Sequence, residues 1–198
     1  MTIVGQLVKE KKGDENIKHP CPSLTNPRPR PKVSIGRGHS MRLERFTIKS
    51  QEAIQEAERL AEAALAQEVS VEHLLLAIMA QEGGIVVPIL ERIGASVKLL
   101  RSRLQEAIKK LPKVYGVEGG SYMSQPVKDV LNRALSEATD LKDEFISTEH
   151  ILLAASSDRQ TEAGKILSSE GVTKENILKA MAEVRGSQRV TDQMPEEK

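Results

Sequence analysis

Cysteine and aromatic residues are scarce in this chain. Its 198 residues include one cysteine, Cys21, no tryptophan, two phenylalanines and two tyrosines. A single cysteine excludes an intrachain disulfide and fits a reducing compartment. With so few large rings, Leu, Ile, Val and Ala have to fill the core, and that composition favours packed helices over a β-sandwich.

Long apolar runs and a strong excess of one charge are missing as well. No run approaches the ~20 apolar residues that span a bilayer, and the N-terminus lacks the apolar segment of a secretory signal. The formal net charge is +1; residues 1–40 hold eight basic and three acidic residues, so residues 41–198 carry −4. We therefore expect a cytoplasmic protein that binds neither a membrane nor nucleic acid.

Residues 1–40 differ in composition from the remainder of the chain. They hold five of the nine prolines, and no helical or strand period runs through them. No aromatic residue lies among the basic ones, as it would in many nucleic-acid arms, and the acidic residues argue against a transit peptide. We predict a disordered extension here and assign it no function.

A helical period begins after Thr47. From Ile54 to Leu65 the apolar residues recur at i, i+3, i+4 and i+7, which is one face of an amphipathic helix. Three further helical segments follow before residue 112. Their boundaries are read from cap and stop residues: Thr47, Ser70 and Ser96 at helix starts, and Gly83–Gly84, Gly94 and Pro112 at helix ends.

The same pattern then returns 77 residues later without a gap. Residues 70–77 read SVEHLLLA, and residues 147–154 read STEHILLA. Caps, stops and apolar positions match over about 60 residues, which indicates a duplication. We predict an all-α domain over 41–186, an eight-helix bundle of two pseudo-twofold four-helix repeats, with repeat 1 at 46–111 and repeat 2 at 123–186.

Motifs of enzymes are absent from the sequence. It holds no GxxxxGK[ST] phosphate loop, no HExxH, no CxxC and no GxSxG. We expect no enzyme activity, no catalytic residue and no cofactor. His73 and His150 with their acidic neighbours are too few ligands for a metal, so we expect no metal site and predict that each histidine bonds a nearby backbone group.

The two glutamates at matching positions of the repeats allow two interpretations. Glu72 and Glu149 stand in the first turn of their helices, where each would favour its own helix N-terminus. Alternatively, both flank a groove between the repeats and receive a cationic group of a bound peptide. The periodicity does not separate these interpretations.

Several segments carry a family signature. The sequence resembles ClpB-type chaperones continuously from Met41 to Lys198. The segments that carry the resemblance are residues 41–47 (MRLERFT), 71–77 (VEHLLLA), 81–84 (QEGG), 103–104 (RL), 111–114 (LPKV), 147–150 (STEH) and 184–191 (VRGSQRVT). The double repeat is typical of Clp N-terminal domains, and the LPKV joint and the RGSQRVT exit are similar to the ClpB branch.

This resemblance implies a Clp N-domain fold and a function. ClpB-type proteins are hexameric AAA+ disaggregases that work with the DnaK system and thread aggregated polypeptides through a central pore. Their N-terminal domains bind apolar segments of unfolded or aggregated clients. By resemblance, Thr47, Asp143 and Glu149 are expected to bind clients, and we add Glu72 to this set. As an alternative, the ClpC branch implies binding of an adaptor or of phospho-arginine at Glu72 and Glu149, although Val71 replaces the threonine of that branch.

The chain departs from the family at both ends. The family begins near Met41, so we interpret residues 1–40 as a misassigned start, with a genuine disordered arm as the competing interpretation. Residues 187–198 are polar and are interpreted as a linker towards a missing ATPase domain. We expect this fragment to be a monomer without ATPase activity, and the full-length family member to be a hexamer.

Overall fold

Helices hold most of the residues that the computed structural model describes, which are residues 43–113, 121–186 and 188–195. The helices are α1 (Ile48–Ala63), α2 (Val71–Ala80), α3 (Val86–Ile93), α4 (Val97–Lys109), α5 (Gln125–Asp140), α6 (Thr148–Ser156), α7 (Glu162–Ser169) and α8 (Lys174–Val184). Two short strands, β1 (Glu68–Val69) and β2 (Tyr122–Met123), lie between helices. Within the described residues, the predicted all-α fold of eight helices is confirmed.

The duplication is visible in the bounds of the elements. Helix α5 begins and ends 77 residues after α1, and the other three helix pairs agree to within two residues. Unusual backbone conformations recur in the same way. Leu65 and Lys142, which are 77 residues apart, have φ values of 57° and 60°. Both are non-glycine residues in the left-handed region, and each follows the first helix of its repeat.

The helix starts follow from the capping residues that the sequence predicts. The Thr47 hydroxyl accepts a hydrogen bond from Ser50 N–H at 3.3 Å, and the Ser124 hydroxyl accepts one from Val127 N–H at 3.4 Å. Helices α2 and α6 instead begin with capping boxes in which a histidine takes the third helical position. Side-chain oxygens and ring nitrogens thereby satisfy backbone groups that a helix end leaves open.

The core is centred on α2 and α6. Helix α6 is buried along its whole length, and α2 is buried except near its centre and end. Helices α1 and α4 cover α2, while α5, α7 and α8 pack on α6. Leu75 and Leu152 occupy equivalent positions and are 1% and 0% exposed. The two repeats therefore share one hydrophobic core.

Short strands connect the repeats to each other. Strand β1 of repeat 1 runs parallel to β2, which leads into repeat 2. The equivalent pairing joins Phe46, at the entry to repeat 1, with Ile146 of repeat 2. Thr47 N–H donates to Ile146 C=O at 3.0 Å, and 77 residues later Ser124 N–H donates to Val69 C=O at 3.1 Å. Each repeat thus pairs its entry segment with the other repeat.

Some sequence predictions lie outside the described residues. The extension over 1–40 and the part of the joint between repeats at 114–120 belong to this group. The segment after α8, interpreted from its polarity as a linker, contacts the domain at several points where it is described. Val190 is only 2% exposed, and its carbonyl accepts hydrogen bonds from Glu144 and Phe145 N–H at 2.9 and 3.3 Å.

Candidate functional site

Asp143 is the centre of a buried polar cluster in repeat 2. Its side chain is fully buried and accepts hydrogen bonds from Arg185 at 2.6 and 2.7 Å, from Val190 N–H at 2.8 Å and from His150 Nε2 at 3.0 Å. Burial alone would raise the pKa of Asp143, but the bonds from His150, Arg185 and Val190 outweigh it and lower the pKa to about 2. The carboxylate is therefore charged at neutral pH.

Both histidines of the repeats belong to capping boxes. His150 Nδ1 accepts from Ser147 N–H at 3.0 Å, and His73 Nδ1 accepts from Ser70 N–H at 3.1 Å. The predicted bond to a nearby backbone group is confirmed for both. These bonds assign the ring proton to Nε2. In His150 this proton points to Asp143, whereas His73 Nε2 is buried without a hydrogen-bond partner among the described residues.

The two glutamates have different partners. Glu149 Oε1 accepts from Arg185 Nη1 at 3.3 Å, and its Oε2 is buried without a partner within the described part of the chain. Glu72 Oε1 accepts from Ala163 N–H at 3.0 Å, in the first turn of α7. Glu72 therefore stabilises the start of a helix in the other repeat, by hydrogen bonding and by the helix dipole.

The four residues expected to bind clients are all buried. Their exposed fractions are 0% for Thr47, 7% for Glu72, 6% for Asp143 and 2% for Glu149. Asp143 and Glu149 meet at Arg185, and the pairing with Ile146 brings the Thr47 backbone next to the same segment. Glu72 lies apart from this group and instead accepts a hydrogen bond from α7.

Arg185 was missed by the sequence analysis. It stands at the C-cap of α8, its side chain is 12% exposed, and it bridges Asp143 and Glu149. A signal was present in the repeat alignment, because the residues 77 positions earlier than Asp143 and Arg185 are Ala66 and Ile108. A simultaneous change of two matched apolar positions to an acid and a base indicates an ion pair.

An apolar cleft opens next to Arg185. It measures about 230 Å³, and its walls include Leu141, Leu178 and Met181, with Arg185 and Arg189 at the edge. A second cleft of about 340 Å³ lies between α4 and α7 and is lined mainly by charged side chains, among them Arg103 and Lys165. The first cleft offers apolar contact beside the buried carboxylates, which the second does not.

Other kinds of site find little support in the described residues. They contain no group of three or more His, Cys, Asp or Glu side chains that could hold a metal ion. None of the described helices is long and apolar enough to cross a bilayer. The cluster around Arg185 holds charges and hydrogen bonds in a fixed arrangement, which suits binding or positioning.

Acid is expected to destabilise the domain in two steps. Burial lowers the pKa of His73 below 6.5, against the opposing charge of Glu72, so the unfolded chain binds the proton more readily. The stability that neutral His73 contributes is thus lost as the pH falls below about 6.5. Asp143 contributes stability above the unfolded pKa of about 4, and this is lost as the pH falls towards 2.

Urea unfolding at pH 7, 5 and 3 measures both steps. His73→Gln serves as the matched control, because glutamine at the third helical position also completes a capping box and does not titrate. We expect the variant to lose less stability than the wild type between pH 7 and 5 and the same amount between pH 5 and 3. Equal losses between pH 7 and 5 would contradict the assignment to His73.

Comparison with known proteins supports the duplicated fold. Residues 45–170 match the family described as the Clp repeat (R) N-terminal domain. The chaperone protein ClpB of Bacillus cereus is 38% identical over 159 residues, which are 79% of this chain and 18% of that protein. The chain therefore spans less than a fifth of the length of this relative.

Solved structures show the same fold. The Hsp104 N-terminal domain from Candida albicans superposes with a TM-score of 0.67 at 22% identity, over 77% of this chain and 99% of that one. The ClpV N-domain in complex with a VipB peptide superposes with a TM-score of 0.58 at 21% identity, over 75% of this chain and 92% of that one.

Proposed function

Because this chain belongs to the Clp repeat N-terminal domain family, we propose that it is the client-binding N-terminal domain of a ClpB-type disaggregase. In this proposal it engages apolar segments of unfolded or aggregated polypeptides. Domains of this family are non-catalytic modules of AAA+ chaperones, so ATP hydrolysis would belong to other parts of a full-length protein. A DnaK-type partner, a hexamer and a cytoplasmic location belong to the same proposal.

The observation that carries the proposal is the apolar cleft beside Arg185. Leu141, Leu178 and Met181 offer an apolar surface there, while Arg185 connects the cleft edge to Asp143 and Glu149. Since those carboxylates are buried, we propose that they act by holding Arg185 and the cleft wall in position. Thr47 holds the adjoining strand segment, and Glu72 fixes α7 in the same bundle.

Binding at this cleft should be weak and tolerant of sequence. A volume of about 230 Å³ receives one or two apolar side chains, and such a contact buries far less surface than a stable protein interface. Weak binding of short apolar segments suits a domain that meets many unfolded clients. The ClpV N-domain, whose structure includes a VipB peptide, is consistent with peptide binding by this fold.

An NMR titration with a permanently unfolded client tests the proposal. Amide shifts are expected around the cleft and around Thr47, Asp143 and Glu149. Leu178→Ser should weaken binding severalfold, because it removes apolar surface from the cleft. Leu99→Ser is the matched control, since Leu99 is 40% exposed on α4 and does not line this cleft. Shifts confined to the α4–α7 cleft, or equal binding by both variants, would contradict the site.

One observation favours a second candidate function of the ClpC kind. The Asp143–Glu149 pair already holds a guanidinium group, and Glu149 Oε2 remains without a partner among the described residues. An adaptor or a client with phospho-arginine is the alternative ligand. Two peptides that differ only in phosphorylation of one arginine separate the candidates. Binding that requires the phosphate supports the alternative, and binding that scales with apolar content supports the client-binding domain.

A further inference from the structure

The segment after α8 crosses from repeat 2 to the entry of repeat 1. We call Gln188–Met194 the C-terminal strap. Val190 N–H donates to Asp143, and Val190 C=O accepts from Glu144 and Phe145 N–H. Further along, Gln193 C=O accepts from Ile48 N–H at 2.9 Å. The strap therefore pairs with backbone groups beside Asp143 and then with the residue that follows Thr47.

One apolar side chain anchors the strap. Val190 is 2% exposed, while its neighbours Arg189 and Thr191 are exposed. Gln193 adds a side-chain hydrogen bond to Glu44 C=O at 3.0 Å. A segment held by one buried valine and a few hydrogen bonds opens at a small fraction of the free energy of global unfolding.

Arg185 joins the strap to the carboxylates. Its guanidinium Nε donates to Gln188 C=O, and its terminal nitrogens bind Asp143 and Glu149. The chain thus places a guanidinium, from Arg185 at the end of α8, on two buried carboxylates, and an apolar side chain of the strap next to them. An extended peptide with one basic and one apolar residue would offer the same groups.

The first repeat shows that the fold does not need this polar arrangement. The positions equivalent to Asp143 and Arg185 are Ala66 and Ile108. The position equivalent to Val190 is Lys113, which forms an isolated antiparallel β-bridge with Ala66. Repeat 1 thus has two apolar residues at the positions that carry the ions in repeat 2, and its segment equivalent to the strap still contacts the backbone at Ala66. Since apolar pairs often replace buried ion pairs without loss of stability, the ions of repeat 2 point to a role beyond folding.

We propose that the C-terminal strap is an internal competitor for clients. The client class is an extended polypeptide segment that carries an apolar residue and, nearby, an arginine. Such a segment takes the place of Val190 and Arg185 along the edge at Asp143–Phe145, and the strap leaves. This inference rests on the proposed function and names the chemistry of the client and the element that controls access.

Amide hydrogen exchange on the wild-type chain tests whether a bound peptide displaces the C-terminal strap. The probe is a short unstructured peptide with arginine and valine separated by four residues, as Arg185 and Val190 are; the matched peptide has glutamate in place of the arginine. Saturation with the arginine peptide should accelerate exchange of the Val190 amide. Binding of that peptide with an unchanged Val190 amide would overturn the inference and leave the proposed function standing.

A pair of neighbouring variants tests the competition. Val190→Ser removes the buried anchor of the strap, and Thr191→Ser changes an exposed position beside it that does not line the cleft. If the strap covers the edge in roughly nine of ten molecules, Val190→Ser should tighten arginine-peptide binding about tenfold, whereas Thr191→Ser should leave it unchanged. Equal affinities of Val190→Ser and the wild type would overturn the inference. Failure of the wild type to bind any unfolded client would instead refute the proposed function.

Discussion

Replacing Asp143 with alanine is expected to destabilise the domain by about 3–5 kcal/mol, the usual cost of removing one partner from a buried ion pair. The variant leaves Arg185 without its bidentate acceptor. It also leaves the Nε2 proton of His150 and the N–H of Val190 without their acceptor. Urea unfolding at pH 7 measures the change through the midpoint, provided that the slope of the transition is unaltered.

The chain itself supplies the rescue variant for this experiment. Repeat 1 has Ala66 and Ile108 where repeat 2 has Asp143 and Arg185, so Asp143→Ala combined with Arg185→Ile gives repeat 2 the residues that repeat 1 has at these positions. We expect the double variant to regain part of the lost stability, because the Arg185 charge no longer lacks its acceptor, while Glu149 loses its hydrogen bond from Arg185. A double variant that is no more stable than Asp143→Ala would show that repeat 2 depends on the contacts of Arg185 with Asp143 and Glu149.

Much of the fold follows from periodicity and helix caps. Apolar spacing and capping residues such as Thr47 and Ser96 predict helix starts that the structure confirms. The 77-residue repeat carries the same information into repeat 2. These features are local, since each depends on residues within one or two helical turns, and local patterns can be read without knowing the packing.

The strand pairing between the repeats could not be predicted in this way. Strands β1 and β2 have two residues each, too short for an alternating pattern. Their hydrogen bonds join segments far apart in sequence, and the same holds for Phe46 and Ile146. Long-range pairing of this kind depends on how the repeats dock.

The candidate site was likewise predicted only in part. The resemblance named Asp143 and Glu149 and left Arg185 aside, although Arg185 joins them. A residue in a polar exit segment gives no periodic signal, and only the comparison with Ile108 in the other repeat makes it stand out. The burial of Val190 is hidden for the same reason, since its neighbours are polar.

Truncating Leu75 or Leu152 to alanine is expected to cost roughly 2–5 kcal/mol each, because both leave a cavity in a core that is 99% or more shielded at these positions. Matched positions in α2 and α6 should give similar losses if the repeats share one core, and each kcal/mol should lower the melting temperature by roughly 2–4 °C in a chain of this size. Leu99→Ala is the control, since Leu99 is 40% exposed and alanine is favourable in a helix. Shifts within error for both core variants would refute the shared core, whereas a loss at only one position would show that the repeats unfold separately.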